Sequence, residues 1–290
     1  MAIKNDSDIV ELLNTTGIPF QDWVAQVIEK NKNYHYEVEV PYTIPQSGTI
    51  DVVAVWFKGH LTLPPFDGNT FLIIEAKKAN PQIKNWIFIK DPHKNYHNYY
   101  ASSFISIKDG TAHLEKALTF PNLNYPTQES YDKCINGFEY NDQFKLNRNA
   151  EEIIYKSFVQ AHYGLNGFAR KTPIVQRHEF NSPHGAIYIP VVVTTANLFT
   201  AEYKPEDVEL PEGIIKPDKA SITETKWLTY ELPVTEDLST IRNINLRDLG
   251  EKLTTFVVTA KHWEEFLKGV YVIYGKGDSV DQYLIRRIES

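Results

Sequence analysis

Apolar and polar positions along this chain alternate between two periods, and the switches mark its elements. In "SDIVELLNTTG", Ile9, Val10, Leu12 and Leu13 recur at helical spacing, with Asp6 or Ser7 to cap and Gly17 to close. "PFQDWVAQVIEKN" repeats the theme: Phe20, Trp23, Val24, Val27 and Ile28 share a stripe, and Pro19 suits a first helical turn. "YHYEVEVPYTI" then changes to strand alternation, "PQSG" breaks it as a turn, and "TIDVVAVWF" returns as the second arm of a hairpin. A loop with Pro64, Pro65 and "DGN" leads into "FLIIEAKKANP". Its run Phe71 to Ile74 is continuously apolar, as a strand covered on both faces requires.

From Ala79 to Leu146 the pattern weakens, with short strands at "NWIFI" and "SSFISI" and a loop at "FPNLNYPTQ". "NAEEIIYKSFVQAHYG" reads as a helix capped by Asn149, with Glu151 and Glu152 in its first turn and Gly164 at its end. "GAIYIPVVVTTA" follows as a buried strand. Strands at "TKWLTYEL" and "TTFVVTA", a helix at "KHWEEFLKG" and a last strand at "VYVIYG" complete the chain. The expected fold class is therefore α/β, a mixed central sheet flanked by helices. Residues 1–197 form the expected core, with an insertion at about 79–148, and residues 198–290 a C-terminal extension or accessory lobe.

Composition narrows the classes. A 290-residue chain that is 42% hydrophobic and 23% charged can bury a large core. With 17 Tyr, 15 Phe and 5 Trp it is too aromatic for a disordered chain. The net charge of −7 gives no general help to phosphate binding, so any nucleic-acid surface must be local. Cys134 is the only cysteine, which excludes a disulfide framework and any multi-cysteine zinc site. "MAIKNDSDIVELL" has no apolar signal segment, and no run nears the ~18 apolar residues of a membrane span. The expectation is a soluble, cytoplasmic protein with no membrane partner.

Against this background three charges stand out. Asp51 interrupts "TIDVVAVWF", and Glu75 and Lys77 sit at the end of "FLIIEAKK". A strand alternates faces, so Ile73, Glu75 and Lys77 point one way and Leu72, Ile74 and Ala76 the other. A charge in such a setting needs a partner, a metal or a wet cleft. Adjacent strands can bring Asp51 beside Glu75, giving the spacing D-x23-E-x-K. Two hard carboxylates with retained waters suit Mg²⁺ (or Mn²⁺). The plainer alternative is a surface Glu–Lys pair at a strand end, with Asp51 paired to an arginine.

This order of elements and charges resembles the PD-(D/E)XK nuclease superfamily, the restriction-endonuclease-like fold. The likeness covers residues 17–78 and, in outline, 149–196. It implies that Asp51, Glu75 and the carbonyl of Ala76 ligate Mg²⁺ or Mn²⁺, with Lys77 the catalytic lysine. The sequence departs from the family at Ile50, where some members have proline, and at Gln21, where many have glutamate. Gln21 brings no charge, which puts a second metal ion in doubt, and Glu29 is a weaker substitute. Gln160 matches a glutamine that several members carry on the second core helix. The resemblance implies a metal-dependent endonuclease acting on nucleic acid, DNA before RNA, with a homodimer natural for cutting a duplex. The alternative is a non-catalytic nucleic-acid- or protein-binding module that keeps the fold.

Other stretches carry less. "DPHKNYHNYY" reads as a wet aromatic surface, and His93 and His97 at helical spacing lack a third zinc ligand. Thr194, Thr195 and Asn197 in "VVVTTANL" are expected to cap a turn, and "YGKGDS" lacks the strand and helix of a phosphate loop. There is no G-x-S-x-G elbow, and "IRRIES" is too short for a nucleic-acid tail.

Overall fold

The fold is taken from a computed structural model that describes residues 6–43, 47–57, 68–79, 84–91, 104–108, 111–115, 133–140, 150–171, 185–233 and 252–270. Helices α1 (Asp6–Thr15) and α2 (Ile18–Lys30) come first, and Pro19 sits in the opening turn of α2. There its missing N–H breaks no helical hydrogen bond. Strands β1 (His35–Tyr42), β2 (Gly48–Phe57) and β3 (Gly68–Lys77) form an antiparallel meander. Next come β4 (Asn85–Lys90), β5 (Phe104–Lys108), β6 (Thr111–Glu115) and β7 (Lys133–Tyr140). Helix α3 (Ala150–Lys171) leads to β8 (Gly185–Thr194), which runs parallel to β3 from Gly68–Gly185 to Lys77–Thr194.

The remainder holds β9 (Asn197–Glu202), the small pair β10 (Val208–Glu209) and β11 (Ile214–Ile215), β12 (Ser221–Thr225), β13 (Trp227–Pro233), β14 (Lys252–Thr259) and helix α4 (Trp263–Val270). Among the described residues one twelve-stranded mixed sheet has the path β1-β2-β3-β8-β14-β13-β7-β4-β9-β12, with β5 and β6 attached beside β8. Strands from before and after Asn197 thus share one sheet.

Alternation explains how helices cover both faces. Leu72, Ile74, Val191, Val193 and Val258 pack with Val24 and Ile28 of α2 and Trp263, Phe266 and Leu267 of α4. Ile73, Val192 and Val257 face the other way, against Ile154, Phe158, Ala161 and Leu165 of α3. Phe158 stacks on Tyr230 with ring centroids 4.3 Å apart. Burial on this scale supplies most of the stabilisation, at about 25 cal/mol per Å² of apolar surface.

Two expectations need correction. Gly164 does not end α3, which continues to Lys171. A Cβ on Gly164 would meet Ile50 Cγ1 at 2.7 Å, and one on Gly167 would collide with Tyr42 Cβ. These glycines let the helix lie close to β1 and β2, at a propensity cost of roughly 1 kcal/mol each. "TTANL" is more than a turn: Thr195 and Ala196 turn the chain, and Asn197 already opens β9. Thr194 Oγ1 accepts the Ala196 N–H at 3.1 Å, and Thr195 Oγ1 accepts the Ala79 N–H at 2.8 Å. Asn149, the stretch His93–Tyr100, "FPNLNYPTQ", "YGKGDS", "IRRIES" and all but the first residue of "VYVIYG" lie outside the described residues. No helix of the described residues is long and apolar enough to cross a membrane.

Candidate active site

Strict alternation fails in β2 at one step. Val52 and Ala54 join the α2-side core, while Ile50 and Val53 both join the α3-side core. Asp51 lies at that irregularity. Across from it the β1–β2 register passes from Val38–Val52 to Val40–Ile50 and skips Glu39, whose φ is +52°. A left-handed backbone at a residue other than glycine costs about 1–3 kcal/mol and clusters at functional sites. At this irregularity the Asp51 carboxylate turns toward β3. Its Oδ2 accepts the Ala76 N–H on β3 at 2.7 Å. From the α2 side, Gln21 Nε2 donates to the Asp51 backbone carbonyl at 3.0 Å.

Glu75 follows alternation and emerges beneath α3, only 5% exposed. Lys77, two residues on, reaches back so that Nζ donates to Glu75 Oε1 at 2.9 Å. The same Nζ donates to Gln160 Oε1 on α3 at 2.9 Å. The helix therefore fixes the lysine from above while the strand fixes it from below.

The electrostatics follow from burial. Desolvation, and then the charge of Asp51, push the Glu75 carboxyl up to about 7, and Lys77 only partly offsets them. Asp51 is also raised, first by burial, with Glu39 adding to it and the Ala76 N–H and Lys77 opposing. Tyr42, buried on β1, has its phenol raised by burial and then by Glu75, Tyr163 and Asp51. One lysine thus sits among more negative charge than it neutralises.

Asp51 is bonded to the Ala76 N–H, and Lys77 links Glu75 to Gln160. Gln21 reaches them through its amide and the Asp51 backbone. Glu29 is exposed toward the far end of α2. Among the described residues, no three His, Cys, Asp or Glu side chains are gathered to hold a metal by themselves. Sequence reasoning missed Glu39 and Tyr42. The hairpin register was the available signal, since counting back from the Tyr42–Gly48 pair brings Glu39 opposite Asp51. Comparison with protein-family models, curated proteins and solved structures finds no match to this chain.

Proposed function

We propose that this protein is a metal-dependent nuclease with a restriction-endonuclease-like core, hydrolysing phosphodiester bonds of nucleic acid, DNA before RNA. The order α2, β1-β2-β3 meander, α3, parallel β8, with α2 and α3 on opposite faces, supports that core. One observation carries the activity: buried Glu75 is linked through Lys77 to Gln160 on α3, with Asp51 held against the Ala76 backbone amide.

These groups fit a hard divalent cation. The donors are all oxygen, the charge is in excess, and two carboxylates leave the remaining positions to the Ala76 carbonyl and to waters, as Mg²⁺ prefers. Asp51 and Glu75 would hold the ion. When bound, Mg²⁺ or Mn²⁺ supplies a more acidic water and neutralises phosphoryl charge. The Ala76 N–H fixes the orientation of the Asp51 carboxylate. Lys77, immobilised from two sides, orients the attacking water and stabilises the negative charge that builds on the phosphoryl oxygens. The bond from phosphorus to the leaving oxygen breaks as the water oxygen bonds to phosphorus; the water's proton passes to solvent, and solvent returns one to the leaving oxygen.

The test incubates plasmid, single-stranded DNA and RNA with the protein and Mg²⁺ or Mn²⁺, beside Lys77→Ala. Metal-dependent cleavage that disappears in the variant is the expected result. Equal cleavage by both proteins would overturn the reading. A second reading, a binding module retaining the fold, has one observation in its favour: Lys77 already provides Glu75 with a counter-ion. That reading expects nucleic-acid binding without turnover, at an affinity that Glu75→Ala leaves unchanged.

A further inference from the structure

The sheet face that α2 and α4 cover beside β3, β8 and β14 continues onto β7, β4, β9 and β12. There its character changes. In β4 and β9 the side chains turned toward the α3-side core, Trp86, Phe88 and Leu198, are fully buried, and their neighbours are half-exposed. Registers place Phe138, Ile87 and Phe199 in one outward row and Tyr140, Asn85 and Asn197 in the next. The Tyr140 and Phe199 rings lie 6.2 Å apart.

Two lysines border this surface. Lys84 is exposed directly before β4, and its carbonyl accepts the Asn197 N–H at 2.7 Å. Lys261, exposed between β14 and α4, donates from Nζ to Asn197 Oδ1 at 3.1 Å. That acceptor is neutral, so the lysine charge is not compensated. Among the described residues neither lysine has a carboxylate partner, whereas Lys226 and Lys268 are paired with Glu265 and Glu264. Asn197 Nδ2 donates to Asn85 Oδ1 at 3.0 Å, a side-chain amide pair of the chemistry that reads base edges. Glu224, exposed and in register with Phe199 on β12, bounds the surface on its far side.

Half-exposed aromatics on an open sheet, flanked by cations, are how single strands are held: rings stack on bases and cations take the phosphates. We propose that this face binds a single-stranded nucleic-acid segment, with bases against Tyr140 and Phe199 and phosphates at Lys84 and Lys261. The choice of nucleic acid rests on the phosphodiesterase reading. The surface lies across the sheet from Glu75 and Lys77, and the two approach each other at the end of β3, where Thr195 accepts the Ala79 N–H and donates its own N–H to the Lys77 carbonyl at 3.2 Å.

The test titrates labelled oligothymidylate into the protein with a chelator present, so that binding is measured without cleavage, over a range of salt. Lys84→Ala with Lys261→Ala is expected to weaken binding and to lower the salt slope by about 1.4, at roughly 0.7 for each lost contact with a single strand. Phe199→Leu, checked by melting to be folded, is expected to lose roughly five- to a hundred-fold in affinity. Lys268→Ala, which removes a lysine already paired with Glu264, serves as the control. Wild-type affinity and slope in the double lysine variant overturn the proposal, as does absence of binding, or duplex bound as tightly as single strand. Cleavage in the metal assay alongside such a result leaves the nuclease reading standing, and binding here without cleavage there leaves this surface standing alone.

Discussion

Two of the buried titratable groups on the α3 side of the sheet solve the same problem differently. His162, on α3, is 1% exposed, and burial pushes its imidazole down to about 3, so it is neutral. Its Nε2 lies 2.7 Å from Thr255 Oγ1 on β14, and one neutral hydrogen bond settles it. Glu75, two strands away in the sheet, sits at similar depth but gathers charge around it: Asp51, Lys77 and, beyond them, Glu39. The first arrangement minimises the electrostatic cost of a polar group in a core. The second maintains that cost, which a fold seeking stability alone would shed by an apolar substitution. The difference separates a group that serves packing from the groups to which the proposed function assigns chemistry.

The largest expected effect tests that separation directly. Glu75→Gln is nearly isosteric and is expected to lower metal-dependent cleavage by roughly a hundred- to a thousand-fold, the scale of losing one preorganised electrostatic contributor. His162→Ala leaves Thr255 without its partner and opens a cavity, so it is expected to cost about 1–3 kcal/mol of stability. Its cleavage rate per folded molecule should match wild type. Cleavage rates beside denaturant melts decide the matter. A rate loss in the histidine variant equal to that of Glu75→Gln, measured where both are folded, would erase the distinction.

The two regions were not equally legible in the sequence. Charges set in otherwise apolar strands announced Asp51, Glu75 and Lys77, because burying them needs a reason. The distortion beside Asp51 left no such mark: Glu39 adopts φ +52° with neither glycine nor proline to signal it. One glycine misled for the opposite reason. Gly164 looks like a helix end yet lies inside α3, and Gly137 likewise lies inside an element, β7. A Cβ on Gly137 would meet Phe88 Cε1 at 2.5 Å, so the strand needs glycine for a distant side chain. The α2 face, with its regular spacing of Phe20, Val24 and Ile28, was readable because there the burial pattern is local.

The second effect is on stability against pH. The folded Glu75 carboxyl titrates near 7 rather than 4.5, so the folded state holds a proton that the unfolded chain releases. Stability from this group is therefore present below about pH 4.5 and falls as pH rises toward 7. Asp51 shifts in the same direction and adds to the fall. Glu75→Gln is expected to melt above wild type at about pH 8, with the gap closing by about pH 4. If Glu75 ligates Mg²⁺ as proposed, the ion takes the deprotonated form, so it should raise the wild-type melting temperature more at about pH 8 than at about pH 6, and much less in Glu75→Gln. A metal-induced shift that ignores pH and survives the substitution would move the cation elsewhere.

The smallest effect asks what α3 contributes at each place. At His162 the helix supplies a packed and hydrogen-bonded side chain. At Gln160, which is exposed, it supplies an acceptor to Lys77, and Lys77 keeps Glu75 as a second partner. Gln160 is the neutral acceptor of the two and is exposed, so losing its bond is worth about 0.5–1.5 kcal/mol, and Gln160→Ala is expected to slow cleavage roughly two- to twelve-fold. The loss should fall on kcat and leave KM unchanged, because Lys77 is less well placed while substrate contacts persist. Gln160→Glu preserves an acceptor oxygen and should recover part of the rate. Its added negative charge opposes ionisation of Glu75, so the acid limb of its pH–rate profile is expected to move to higher pH. Wild-type kinetics in Gln160→Ala would mean that Glu75 alone positions the lysine, and that α3 does no more at the carboxylates than it does at Thr255, which is to cover them.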